Sequence, residues 1–101
     1  MNALYQSLVE QMLQHQGVEE STMMSSHCLR CQGNFFAMWF EREDSLIVKL
    51  PAERVQELVD KGKGKEFNFT GKRFKEWVLI PENADNHLLL VEEALQFAMA
   101  A

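Results

Sequence analysis

His27-Cys28-Leu29-Arg30-Cys31 puts an imidazole and two thiols close together in the chain, the chemistry of a metal site or a dithiol redox pair. Structural zinc usually takes four such ligands. The chain has two cysteines and three histidines, with no second Cys-x-x-Cys and no closely spaced His pair. Gln32-Gly33-Asn34 follows and reads as a hairpin turn, so both cysteines fall on a strand. Successive strand side chains face opposite ways, so positions 28 and 31 diverge, and His27 lies roughly 13 Å from Cys31 along the strand. A thiol tuned for redox work sits at a helix N-terminus, which lowers its pKa; this pair precedes a turn. Partly buried, reduced thiols are expected, with no metal and no cofactor.

Lys61, Lys63, Lys65, Lys72, Arg73 and Lys75 form the second candidate. They are six of the ten Lys and Arg residues, in a chain whose formal net charge is −5. Gly62 and Gly64 expose backbone N–H groups that can meet a phosphate, although the spacing of a P-loop is absent. The stretch is therefore a candidate anion-binding site, and it carries the alternative function of a regulatory or nucleic-acid-associated domain. Charge runs are usually solvated faces, and lysines at a sheet edge discourage pairing, so a solvated loop and hairpin edge is the favoured reading. An acidic chain is also a poor general binder of nucleic acid.

The other reactive residue types lack context. Glu41, Glu43 and Asp44 sit in a charged turn without an apolar pocket to raise a pKa. Ser25 and Ser26 precede His27, but neighbours on a strand face apart and nothing orients the imidazole. His15 near a helix C-terminus gains from the dipole. Met12, Met23, Met24 and Met38 read as core filler. No catalytic constellation emerges, so a non-enzymatic protein is expected.

The elements that must position these residues are legible from periodicity. Leu4, Tyr5, Leu8, Val9, Met12 and Leu13 predict a helix over 2–16, ended by Gly17. Residues 18–22 read as a connecting loop. Strands are expected on either side of the Gln32-Gly33-Asn34 turn and from Leu46 to Leu50. Pro51 suits the first turn of a helix carrying Val55, Leu58 and Val59. The segment from Lys61 to Glu66 reads as a flexible loop. Phe67 and Phe69 mark a strand, Thr70-Gly71-Lys72 a turn, and Phe74 to Ile80 another strand. A last helix starts near His87, capped by Asp85 or Asn86. The order is α-β-β-β-α-β-β-α: an α+β fold with a five-stranded antiparallel sheet and three helices, in one domain over 1–101.

Strict alternation along Phe35 to Phe40 places Phe36, Met38 and Phe40 with Leu46, Val48 and Leu50 on one face. Phe35, Ala37 and Trp39 then share the other face with Ile47, Trp77 and Leu79. Helices on one side would leave the second side wet, at a cost of ~25 cal/mol per Å² of apolar area. Phe35, Trp39, Ile47, Trp77 and Leu79 are therefore the candidate interface, and a homodimer or another protein partner is expected. First and last helices on opposite faces would remove that need. A groove beside Trp39 and Trp77 is the second alternative, a small-ligand or enzyme site. No basic leader precedes an apolar run and no stretch approaches the ~20 residues of a membrane span, so a cytoplasmic location is expected, with no membrane partner.

In order and spacing, several short motifs resemble the TfoX N-terminal-domain-like family. Met23-Met24-Ser25-Ser26-His27-Cys28 lies in register with its Met-Phe-Gly-Gly-x-Gly signature, and Gly33 with its turn glycine. Val48-Lys49-Leu50, Phe69-Thr70-Gly71-Lys72-Arg73, Trp77 and Pro81-Glu82 resemble its later strands and basic hairpin. Ser25, Ser26 and Cys28 stand where the family has glycines. The resemblance covers about residues 12–99. It implies a two-layer α-β(3)-α-β(2)-α fold and a link to competence regulation, in longer proteins with a second domain.

Overall fold

The computed structural model describes residues 2–23 and 25–100; Met24, counted above as core filler and in the family motif, lies outside them. Helix α1 spans Ala3–Met12 and opens on Asn2, whose side chain accepts the Tyr5 N–H at 3.1 Å. The chain leaves the helix earlier than periodicity suggests, and Gly17 takes φ +89 in the turn that follows. Strands β1 (Val18–Met23), β2 (Ser26–Cys31), β3 (Asn34–Phe40) and β4 (Ser45–Lys49) come next. Helix α2 (Ala52–Asp60), strands β5 (Lys65–Phe69) and β6 (Lys72–Pro81), and helix α3 (His87–Met99) complete the order.

The α+β class, the three helices and the antiparallel sheet are as expected, but the sheet has six strands, in the order β1-β2-β3-β4-β6-β5. The extra strand is β1, which reads in sequence as a loop. It pairs with β2 from Val18↔Cys31 to Met23↔Ser26. As an edge strand with one face half-buried at most, it needs no apolar alternation, and Glu19 and Glu20 keep the edge soluble.

The β2–β3 and β5–β6 hairpins close on X-Gly pairs with positive φ: Gln32 and Gly33 (+53, +84), Thr70 and Gly71 (+52, +79). These are the two-residue turns whose twist matches the strands. Asn34 and Lys72, expected within the turns, instead open β3 and β6 opposite Cys31 and Phe69. Gly64, in the segment read as flexible, is tightly placed: a Cβ there would lie 2.6 Å from Val78 Cγ2 and 3.3 Å from the Leu79 carbonyl oxygen.

All three helices pack on one face. Tyr5, Leu8, Val9 and Met12 of α1, Val55 and Leu58 of α2, and Leu90, Val91, Ala94, Leu95 and Ala98 of α3 form a single cluster. From the sheet it takes Leu29, Cys31, Phe36, Ala37, Trp39, Leu46, Val48, Val78 and Ile80. The buried His87 holds the start of α3 against the end of β6, its Nε2 lying 2.8 Å from the Pro81 carbonyl oxygen. Arg54 grips both Glu93 carboxylate oxygens, at 2.7 and 3.2 Å, and so ties α2 to α3.

The face assignment from strict alternation needs correction. Leu29 pairs with Ala37 but Arg30 pairs with Phe35, so β3 carries one residue more than β2 at Phe36. This bulge points Phe36 and Ala37 to the same side. Phe35, Met38 and Phe40 therefore face away from the helices, while Trp39 faces them. Trp39 is 4 % exposed, its ring centroid 6.5 Å from that of Tyr5. Trp39 and Trp77 lie on opposite faces, and no groove runs between them.

Among the described residues no helix covers the reverse face; it closes on itself. Cys28, Phe35, Met38, Phe40, Ile47, Phe67 and Leu79 are buried there, with Met23, Phe69, Phe74 and Trp77 partly buried against them. The rings of Phe40 on β3 and Phe67 on β5 stand 5.4 Å apart, edge to face. Those strands are three positions apart in the sheet, roughly 14 Å if it were flat. The sheet must therefore curl, with this face concave.

Candidate functional site

The site begins with an irregularity in β6. Glu66 pairs with Val78, yet Asn68 pairs with Arg73, so Phe67 alone opposes residues 74–77. The surplus backbone arches away from β5 and is caught elsewhere: Leu50 donates its N–H to the Glu76 carbonyl oxygen at 2.8 Å, and Lys49 pairs with Trp77. Alternation is broken across the arch, so Phe74 and Trp77 both reach the reverse-face cluster. Bulges of this kind re-aim side chains and often border sites.

A groove of about 510 Å³ opens along the arch, lined by Lys49, Ala52, Lys72, Arg73, Phe74, Lys75, Glu76 and Trp77. Four of these are cations and one is a carboxylate. Glu76 is 3.9 Å from Lys49 Nζ. The Arg73 guanidinium is steadied at the rim, 3.1 Å from Gln56 Oε1 on α2 and 3.4 Å from Glu66 on β5. Lys72 Nζ lies 5.3 Å above the centre of the Phe74 ring, a cation–π distance. Among the described residues, neither Lys72 nor Lys75 has a carboxylate within ion-pair range.

The rings of the wall are packed against one another. Trp77 stacks near Phe35 at 4.6 Å (30° between planes) and Phe67 at 5.4 Å (27°), and Phe74 lies 4.8 Å away, tilted 40°. None of the residues lining the groove is fully buried, so a guest would remain in contact with water.

Of the six basic residues singled out in sequence, the fold gathers Lys72, Arg73 and Lys75 here and leaves Lys61, Lys63 and Lys65 outside the lining. Lys61 instead lies 3.8 Å from Glu57 on its own helix. Lys49 is the member that the charge run misses, because it arrives from β4. Of the five candidate interface residues, Trp39 lies under the helices; Phe35, Ile47 and Leu79 are buried in the reverse-face cluster; and Trp77 alone reaches the groove. Cys28 is buried on the concave face and Cys31 on the helix face. Burial pushes the Cys28 thiol above its ordinary range, with Arg30 and Ser21 opposing in part. Among the described residues, no three His, Cys, Asp or Glu side chains lie together as a metal site would need.

A second, smaller hollow of about 150 Å³ is lined by Tyr5, Ser25, Ser26, His27, Trp39 and Glu41. It sits at the turn between β1 and β2, where Ser25 takes φ +63. That is the left-handed region in which a serine is strained and a glycine is not. Tyr5 Oη donates to the His27 carbonyl oxygen at 3.2 Å. Burial raises the Tyr5 phenol pKa above its ordinary value, with Cys28 and Glu20 adding to the shift. The folded chain thus holds this proton more tightly than the unfolded chain. Stability is intact below pH ~10 and falls as the pH rises past it, by up to ~1.4 kcal/mol per unit. Urea midpoints from about pH 9 to 11 should fall for the wild type and stay flatter for Tyr5→Phe; parallel curves would show that Tyr5 is not the cause.

Three helices on one face of a curled antiparallel sheet define a two-layer α+β domain. Residues 10–100 match the TfoX N-terminal domain family, and the chain belongs to that family. No curated protein and no solved structure matches the chain. Among the described residues, no helix is long and apolar enough to cross a membrane.

Proposed function

We propose that this chain is a non-enzymatic, regulatory interaction module that holds another protein at the groove along β6. The observation that carries this reading is the groove itself, where four cations from two strands line half-exposed aromatic rings. The groups with chemical potential elsewhere are dispersed: the two thiols lie on opposite faces. Self-association through Phe35, Ile47 and Leu79 has little support, since those side chains are already covered by their own sheet. A nucleic-acid-associated role is the second reading, favoured by the meeting of Lys72, Arg73 and Lys75 with Lys49.

Trp77 supplies the test. In a Trp39→Phe background it is the sole tryptophan and reports on the groove. Titration with poly-L-glutamate or oligo(dT) should give a saturable change in its emission. Lys72→Ala/Lys75→Ala and raised salt should weaken it. Unchanged emission with both polyanions would remove the groove as a contact surface.

A further inference from the structure

We infer that the occupant of this groove is an extended acidic polypeptide segment carrying at least one apolar side chain, rather than a nucleic-acid strand; the inference rests on the groove reading above. The charges call for an anion. Lys72 and Lys75 have no carboxylate partner among the described residues, and Lys49 is held by Glu76 only at 3.9 Å. Carboxylates of a guest would complete these half-made pairs.

The rings decide which anion. Proteins that hold single strands stack bases on free aromatic faces. Here the rings are already engaged: Phe35 and Phe67 stack near Trp77, and Lys72 lies over Phe74. What Phe74 and Trp77 leave to the groove lies with Ala52 along its wall, an apolar surface that suits an aliphatic or aromatic side chain of a peptide. A nucleic-acid strand also carries a charge at every nucleotide and would run on past the groove over a chain with a formal net charge of −5. A peptide can confine its carboxylates to the cationic stretch and present alternate side chains to the wall. A small anion fits less well, because such ligands have most of their surface enclosed and no lining residue here is fully buried.

The experiment uses fluorescence anisotropy with the full chain and three labelled probes: a Glu-rich peptide with one Leu, its Gln counterpart, and oligo(dT). The Glu peptide should bind, weakening between about 50 and 200 mM salt. Its affinity should fall about tenfold for the Gln counterpart and for Lys72→Gln/Lys75→Gln. That variant must keep the melting midpoint of the wild type, as surface substitutions usually do. Tighter binding of oligo(dT), lost in the same variant, would overturn the peptide and leave the groove as an anion site. Binding of no probe, or binding indifferent to the variant, would overturn both.

Discussion

Phe67→Ala is expected to lower the unfolding free energy by about 3–5 kcal/mol and the thermal midpoint by roughly 15 °C or more. Phe67 lies on a five-residue strand at the edge of the sheet, a place where truncation is usually mild. Its ring is nevertheless 1 % exposed and meets those of Phe40, Phe69, Phe74 and Trp77, all with centroids within 6.1 Å. Removing it opens a contact through which β5 reaches across to β3, and among the described residues no helix stands behind to fill the gap. Phe69→Ala, on the same strand and only partly buried, should cost clearly less. Calorimetry and urea titration of the two variants would measure the difference. A loss below ~1 kcal/mol for Phe67→Ala would mean that the concave face is not closed by its own rings, and would restore the case for a partner there.

That closure shows where sequence reasoning loses the thread. Elements with a clear period are legible: Tyr5, Leu8, Val9 and Met12 every three or four residues, and Phe67 and Phe69 alternating with polar neighbours. β1 is not, because Val18-Glu19-Glu20-Ser21-Thr22 carries the composition of a loop, and the strand rests mainly on backbone pairing to β2, with Val18 and Met23 packed at its ends. The apolar character of the reverse face is legible at Phe35, Ile47, Trp77 and Leu79. Its cover is not, because curl brings together rings from strands that are not neighbours, and no local pattern records curl.

The groove was half legible for a related reason. Lys72, Arg73 and Lys75 stood out as a charge run, but a run does not say which members converge. Convergence comes from the arch at 74–77, whose displaced backbone bonds to Leu50 and so brings Lys49 alongside. Val48-Lys49-Leu50 is legible as the end of a strand running from Leu46 to Leu50, with Lys49 inside it. Its role as a wall of the site depends on β4 lying beside β6, a matter of strand order.

The bulge at Phe36 offers the sharpest test of how the two faces are assigned. Deleting Ala37 should leave a folded protein, less stable by about 1–3 kcal/mol. Deleting Val48 should exceed the whole margin of ~5–15 kcal/mol and abolish cooperative unfolding. Both lose one small, fully buried residue from an inner strand, so burial alone predicts similar costs. Register predicts the opposite. β3 carries one residue too many against β2, and removing Ala37 makes the ladder regular. Phe36 then takes the single helix-facing position, while Phe35, Met38, Trp39 and Phe40 all keep their sides. β4 has no such surplus: Ala37↔Val48 through Phe40↔Ser45 run without a shift, as does its pairing with β6. Without Val48, Lys49 would slide into a position facing the helices and Leu50 out of it, since a one-residue slip exchanges the faces. A buried ammonium without a partner then adds to the lost packing. Far-ultraviolet circular dichroism with urea titration would separate the two outcomes. If both deletions unfold the chain alike, strict alternation along β3 would be restored, and with it the placement of Trp39 beside Trp77.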